Sequence, residues 1–219
     1  LGVKSSLLRD LHKQVTGKNK GPLNDFLLPQ QLALDKAGGC KLVHQVRMLS
    51  ERRRDFIVVK IDMRNAHNEV SRAAVIEALE SEPSLRHIAW HAATCLASHT
   101  GLECGGKLWG EAEEGTAQGD PESSGWFCVA WHPQVRELDR ELSVLGGAAL
   151  TGMDDLFATG PPDLVFAALE RFCQAIQEKC LLQLERSKTE VFSWSGILPA
   201  NTPEGFKNAG ITKDGEFLP

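Results

Sequence analysis

Apolar and polar positions alternate between helical and strand-like periods along the chain. Leu7, Leu8, Leu11 and Val15 fall at helical intervals, and the Gly, Lys, Asn and Pro of residues 17–22 break the pattern, which predicts a short helix over 5–15 and then a loop. Leu42, Val43, Val46 and Leu49 form a second helical stripe after Gly38-Gly39, ending at the basic turn 52–54. Phe56 to Ile61 is a short apolar run rich in β-branched residues that stops at Asp62, the strongest buried-strand signal present. Ser71 opens a helix through Val75, Ile76 and Leu79 that Pro83 closes, and Ile88, Ala92 and Leu96 mark another. Gly105-Gly106 separates two arms of a hairpin. After Gly119-Asp120-Pro121 a long amphipathic helix carries Phe127, Val129, Val135 and Leu138, with Pro133 as a kink. Residues 148–151, 152–155 and 156–158 read as strand, tight turn and strand. A helix from Pro161-Pro162 presents Leu164, Val165, Leu169, Phe172 and Ile176 on one face, and 181–184 and 190–192 read as short strands. The expectation is an α/β or α+β class, without repeats or linkers.

With 219 residues, 42% of them hydrophobic, the chain can bury one sizeable core, so a single domain is expected. No stretch resembles a signal peptide and no apolar run is long enough for a membrane span, which predicts a soluble protein. Six cysteines (Cys40, Cys95, Cys104, Cys128, Cys173 and Cys180) show no CxxC pair and no His at ligand spacing. The expectation is therefore buried thiols in an intracellular, reducing compartment, with no zinc site and no disulfide framework. A net charge of −5 counts against a nucleic-acid grip unless the basic residues gather on one face. Candidates for that face are Lys13, Lys18 and Lys20, Arg52 to Arg54, and Lys179, Arg186 and Lys188.

Three constellations carry chemistry. Asp62 ends an apolar run where a buried strand meets solvent, though Asp is equally common there as a cap or turn residue. Asp154 and Asp155 sit side by side on a turn between two strands. Like charges that close repel unless a cation neutralises them, and magnesium, which takes oxygen ligands, is the natural one; an exposed hairpin tip is the alternative. Gly115-Thr116-Ala117-Gln118-Gly119-Asp120-Pro121 is a polar, glycine-bearing lead into a helix, suited to phosphate oxygens or simply to starting the helix.

In this order and at these spacings the residues resemble the palm of reverse transcriptases, in particular those of non-LTR retrotransposons. Val59 to Asn68, with Asp62 and Asn65-Ala66-His67-Asn68, is similar to the first palm motif; Gln118-Gly119-Asp120-Pro121 to the QGDP motif; Gly152-Met153-Asp154-Asp155 to the double-Asp hairpin; and Leu184 to Glu190 to the Asn-x-x-Lys-Thr segment. Pro29-Gln30-Gln31 with Gly38-Gly39, and Ala209-Gly210-Ile211, stand where the family has comparable elements. The resemblance implies an α+β reverse-transcriptase-like domain over 1–219, with partial fingers over 1–55, mainly palm over 56–219, an antiparallel sheet packed on helices, and no thumb. It implies RNA-templated DNA synthesis with an RNA template, a DNA primer, dNTPs and two Mg2+ ions about 4 Å apart that stabilise the attacking and leaving oxygens. Asp62 and Asp154 would bind the metals with Asp155 assisting, and the Met63 carbonyl would complete one shell. Lys188 would meet the departing pyrophosphate. Gln118, Gly119, His67 and Arg9 would line the nucleotide.

The chain departs from that pattern at several points. His67 replaces the Phe or Tyr that excludes a ribose 2′-hydroxyl, yet it is not the Asp of RNA-templated RNA polymerases, which favours the reverse-transcriptase reading. Glu122 replaces an apolar residue and adds an acid beside the nucleotide site. Arg9 alone matches the basic fingers residues, with Asp10 in place of a second Arg. These departures and the net acidity define a second expectation, a non-catalytic descendant acting as a structural subunit of a protein assembly.

Overall fold

The run that stops at Asp62 forms strand β1 (Ile57–Ile61), buried along its length apart from the half-buried Lys60. A strand so apolar needs cover on both faces. In the computed structural model, which describes residues 6–97, 100–116 and 120–210, β1 is the central strand of a five-stranded sheet. The order is β4 (Ala148–Gly152), β5 (Asp155–Gly160), β1, β6 (Glu190–Ser193) and β7 (Lys207–Asn208). β1 runs antiparallel to β5 and β6, and the short β6–β7 pair is parallel.

Alternation of side chains divides this sheet between two cores. Ile57, Val59 and Ile61 join a large cluster with helices α4 (Arg72–Ser81), α5 (Arg86–Leu96), α6 (Ser123–Ser143) and α7 (Pro162–Cys180). On the other face Val58, Leu150, Phe157 and Phe192 meet Leu42 and Val46 of α2 (Gly38–Arg52). The architecture is mixed α+β, with a largely antiparallel sheet packed on helices. Ser71 caps α4 as expected, its Oγ accepting the Ala74 N–H at 3.3 Å. The expected hairpin joins β2 (Thr100–Cys104) to β3 (Lys107–Ala112). No helix among the described residues is long and apolar enough to cross a membrane.

Two expectations fail. Helix α1 (Ser6–Leu27) runs straight through residues 17–22, with Pro22 inside it. His12, Val15, Asn19, Leu23 and Leu27 continue one stripe that faces the core. Burying that stripe offsets a cost of about 1 kcal/mol for each interior Gly and about 3 kcal/mol for Pro. Residues 181–184 do not form a strand. Leu181 adopts φ 60° and closes α7, the Leu182 N–H bonds to Ile176 O at 3.2 Å, and a single bridge pairs Leu184 with Met63. The short helix α3 (Ala66–Glu69) and strand β7 gave no sequence signal.

Candidate active site

Strand register assembles the carboxylates. Ile61 pairs with Leu156, so Asp62 leaves β1 beside Asp155, the first residue of β5, while Met153 and Asp154 close the β4–β5 turn. Met153 sits at φ 63°, a conformation that strains a non-glycine residue, and Gln31 holds it there. The Gln31 Oε1 accepts the Met153 N–H and its Nε2 donates to the Met153 carbonyl, both at 3.0 Å. Gln31 is itself buried and stitched to β4: Leu32 N–H bonds Thr151 O at 2.8 Å, and Thr151 N–H bonds Gln30 O at 2.7 Å. At Gly38 a Cβ would lie 1.8 Å from the Leu32 carbonyl oxygen, so only glycine lets α2 start this close. Gln30, Gln31 and Gly38 thus aim the acidic turn.

Lys188 enters from a 3-10 turn (Arg186–Lys188) and places its Nζ 3.2 Å from Asp62 Oδ2. Lys60 Nζ lies 4.0 Å from Asp155 Oδ1. Partial burial pushes the Asp155 carboxyl up; Lys60 opposes this, and repulsion from Asp154 and Asp62 reinforces it. Asp155 therefore feels both neighbouring acids, a situation that a divalent cation relieves. Glu185 N–H bonds Asp62 O and Arg64 N–H bonds Gln183 O, each at 2.9 Å, on either side of the Met63–Leu184 bridge. Alternation then turns the Met63 carbonyl the other way, toward the β5 side. Three carboxylates and a peptide oxygen form the hard donor set that magnesium takes, so these residues fit it.

His67 stands beside them. Its ring lies against Phe127 (centroids 4.7 Å apart), and its Nδ1 is 3.3 Å from Thr116 Oγ1. Burial lowers its basicity, and the negative charge of Asp154 works against that. The Gly115–Thr116 stretch is zipped to α3: Gly115 N–H bonds Val70 O at 2.9 Å and Thr116 N–H bonds His67 O at 2.7 Å. Gly115 (φ 82°) comes so close that a Cβ would sit 2.3 Å from Asn68 O. Buried Arg72, which the sequence did not single out, latches the same stretch, its guanidinium donating to the carbonyls of Leu96, Ala112 and Gly115 at 3.1 Å.

Asp62, Met63, His67, Asp154, Asp155 and Lys188 are thus brought together. Arg9 is not; it lies exposed on α1. Gln118 and Gly119 lie outside the described residues. Glu122 corrects its expectation: rather than facing the nucleotide site, it is buried and accepts from His91 Nε2 at 2.9 Å. The expectation that no cysteine has a His at ligand spacing also fails. His91 precedes Cys95 by four residues, one turn along α5, and Cys95 Sγ lies 3.8 Å from His91 Nε2 and 3.7 Å from His12 Nε2. The His91-x-x-x-Cys95 spacing was the available signal.

No protein-family model and no curated protein matches the chain. Solved structures do. The telomerase of Candida albicans, in complex with a fragment of telomeric RNA, superposes with a TM-score of 0.61 at 14% identity, covering 89% of this chain and 35% of that one. The apo telomerase of Candida tropicalis gives 0.56 at 11% identity over 84% of this chain and 35% of that one, and its form truncated from the C-terminal domain gives 0.57 at 11% over 89% and 41%. The chain spans about a third of the length of the telomerase chains it matches first. Telomerase is a reverse-transcriptase-related enzyme, so at the level of architecture this chain has a reverse-transcriptase-like fold.

Proposed function

We propose that the chain is a polymerase domain of the reverse-transcriptase kind, which extends a DNA primer on an RNA template from dNTPs. The observation that carries this reading is the register that sets Asp62 against Asp155, with Asp154 on the adjoining turn and Lys188 at 3.2 Å. Residues 1–55 act as partial fingers and 56–219 mainly as palm. The non-LTR character rests on the sequence motifs; the telomerase likeness supports the broader family, and its RNA complex supports an RNA partner here.

Asp62, Asp154, Asp155 and the Met63 carbonyl would hold two Mg2+ ions. When bound, magnesium lowers the charge that builds up on the attacking and leaving oxygens. The protein's own residues position and neutralise: phosphoryl transfer leaves little covalent work to do. Lys188, whose Nζ lies 3.2 Å from Asp62 Oδ2, would supply charge or a proton to the departing pyrophosphate. In this reading His67, packed on Phe127, would face the sugar of the incoming nucleotide.

The test is primer extension on a poly-A template with oligo-dT, dTTP and magnesium, comparing the chain with its D154N/D155N variant. Extension by the parent alone supports a working polymerase site. No extension by either folded protein moves the reading to the structural subunit of an assembly.

A further inference from the structure

Away from the carboxylates, His12 of α1, His91 and Cys95 of α5, and Glu122 just ahead of α6 each bring one potential ligand atom within 4.8 Å of the other three. His12 and Glu122 are almost fully buried, at 0% and 4% exposure. Burying an imidazole and a carboxylate beside a half-buried imidazole and thiol is costly for packing alone. Burial pushes the Glu122 carboxyl up against the pull of both histidines.

We propose that these four residues form a structural zinc site. Two nitrogens, a sulfur and an oxygen suit a borderline-soft cation of tetrahedral preference and do not suit magnesium or calcium. Bonds of about 2.0–2.3 Å to zinc put tetrahedral ligand atoms about 3.3–3.7 Å apart. The spacings of 3.7 Å (His12 Nε2 to Cys95 Sγ) and 3.8 Å (His91 Nε2 to Cys95 Sγ) lie close to those edges, while the 2.9 Å between His91 Nε2 and Glu122 Oε1 is a hydrogen-bond distance that would widen by about 0.4 Å around an ion.

Asp120 supplies an independent argument. Both its carboxylate oxygens lie 2.9 Å from His12 Nδ1, which therefore carries the proton and leaves the Nε2 lone pair pointing at Cys95. A carboxylate behind a ligating imidazole is the arrangement that fixes the tautomer of a zinc-bound histidine. With four protein ligands the coordination is closed, so the ion holds structure and performs no hydrolysis. It ties α1 and α5 to the residues that follow Gln118-Gly119 in the sequence.

The test uses the full chain, stripped with chelator and titrated with Zn2+ or with Co2+ as a coloured substitute. The expected result is one equivalent bound, a thiolate-to-cobalt absorption band lost in C95S but kept in C40S, and a melting temperature raised by Zn2+. D120N should weaken zinc binding about 10- to 100-fold. D62N/D154N, which removes two of the other candidate metal ligands, should bind zinc as the parent does. Should C95S fail to fold, D120N and the cobalt spectrum of the parent still decide. A folded parent that shows no thiolate-to-cobalt band, or that takes up no more zinc than a folded H91A/C95S variant, overturns the site and leaves a hydrogen-bonded cluster.

Discussion

Two polar clusters lie against the first turns of α6 and could hardly differ more. On one side Phe127 contacts His67, and Cys128 Sγ lies 3.9 Å from Met153 Sδ, next to the acidic turn. On the other side Trp126 lies against the rings of His12 and His91, and Glu122 bonds His91. The first cluster gathers carboxylates of one sign at the open end of a sheet, with Lys60 and Lys188 at its edges. The second mixes imidazole, thiol and carboxylate and closes over them. An open, like-charged group suits an exchangeable hard cation and a charged substrate; a closed, mixed group suits a permanent tie. Removing a residue from the first should therefore change chemistry without loosening the fold, and the reverse should hold for the second.

The largest effect is expected from H12A, which removes the buried imidazole that faces both Asp120 (2.9 Å) and Glu122 (3.3 Å). Denaturant unfolding should show a loss of about 3–5 kcal/mol, whereas D154N should lose none. The complementary change is D154N in primer extension, where the rate should fall by roughly 10²- to 10³-fold, the scale of one lost electrostatic partner in a preorganised site. An equal loss of stability and activity in either variant would erase the distinction between the clusters.

His132 offers a smaller, pH-dependent version of the buried case. Burial, with Arg136 adding to it, lowers the ring from an ordinary 6.5 to about 4, where it packs edge-on against Phe26. Between those values the unfolded chain binds more protons than the folded one. Stability is then complete above pH 6.5 and declines toward pH 4, by roughly 3 kcal/mol from this group. Unfolding curves of H132L at pH 7 and pH 4.5 should show that slope flattened.

Q31A tests how the open cluster is aimed. Losing both bonds to Met153 should cost about 1–3 kcal/mol and lower extension as well, since the turn carrying Asp154 loses its clamp. Unchanged extension at reduced stability would mean that the turn holds its shape unaided.

The open cluster was legible in the sequence because each part sits in a local pattern: an apolar strand ending in Asp62, two acids between strand signals, a lysine in a short motif. What the sequence left open was the role of Gln31, which became visible only when α2 and β4 were seen packed together. The closed cluster was nearly invisible, because residues 12, 91, 95 and 122 meet through three helices and only the His91–Cys95 pair shares one. Helix α1 was misread for a related reason. Gly17, Gly21 and Pro22 favour a break locally, and the tertiary burial of Leu23 and Leu27 overrides them.

The most direct measurement is paramagnetic broadening by Mn2+, standing in for magnesium, of the assigned backbone amide signals of the zinc-loaded chain. The polymerase site predicts saturable broadening centred on Met63, Asp154, Asp155 and Glu185, abolished in D62N/D154N, with Cys95 and Ser123 sharp. Broadening centred elsewhere, or none at saturating metal, would contradict it.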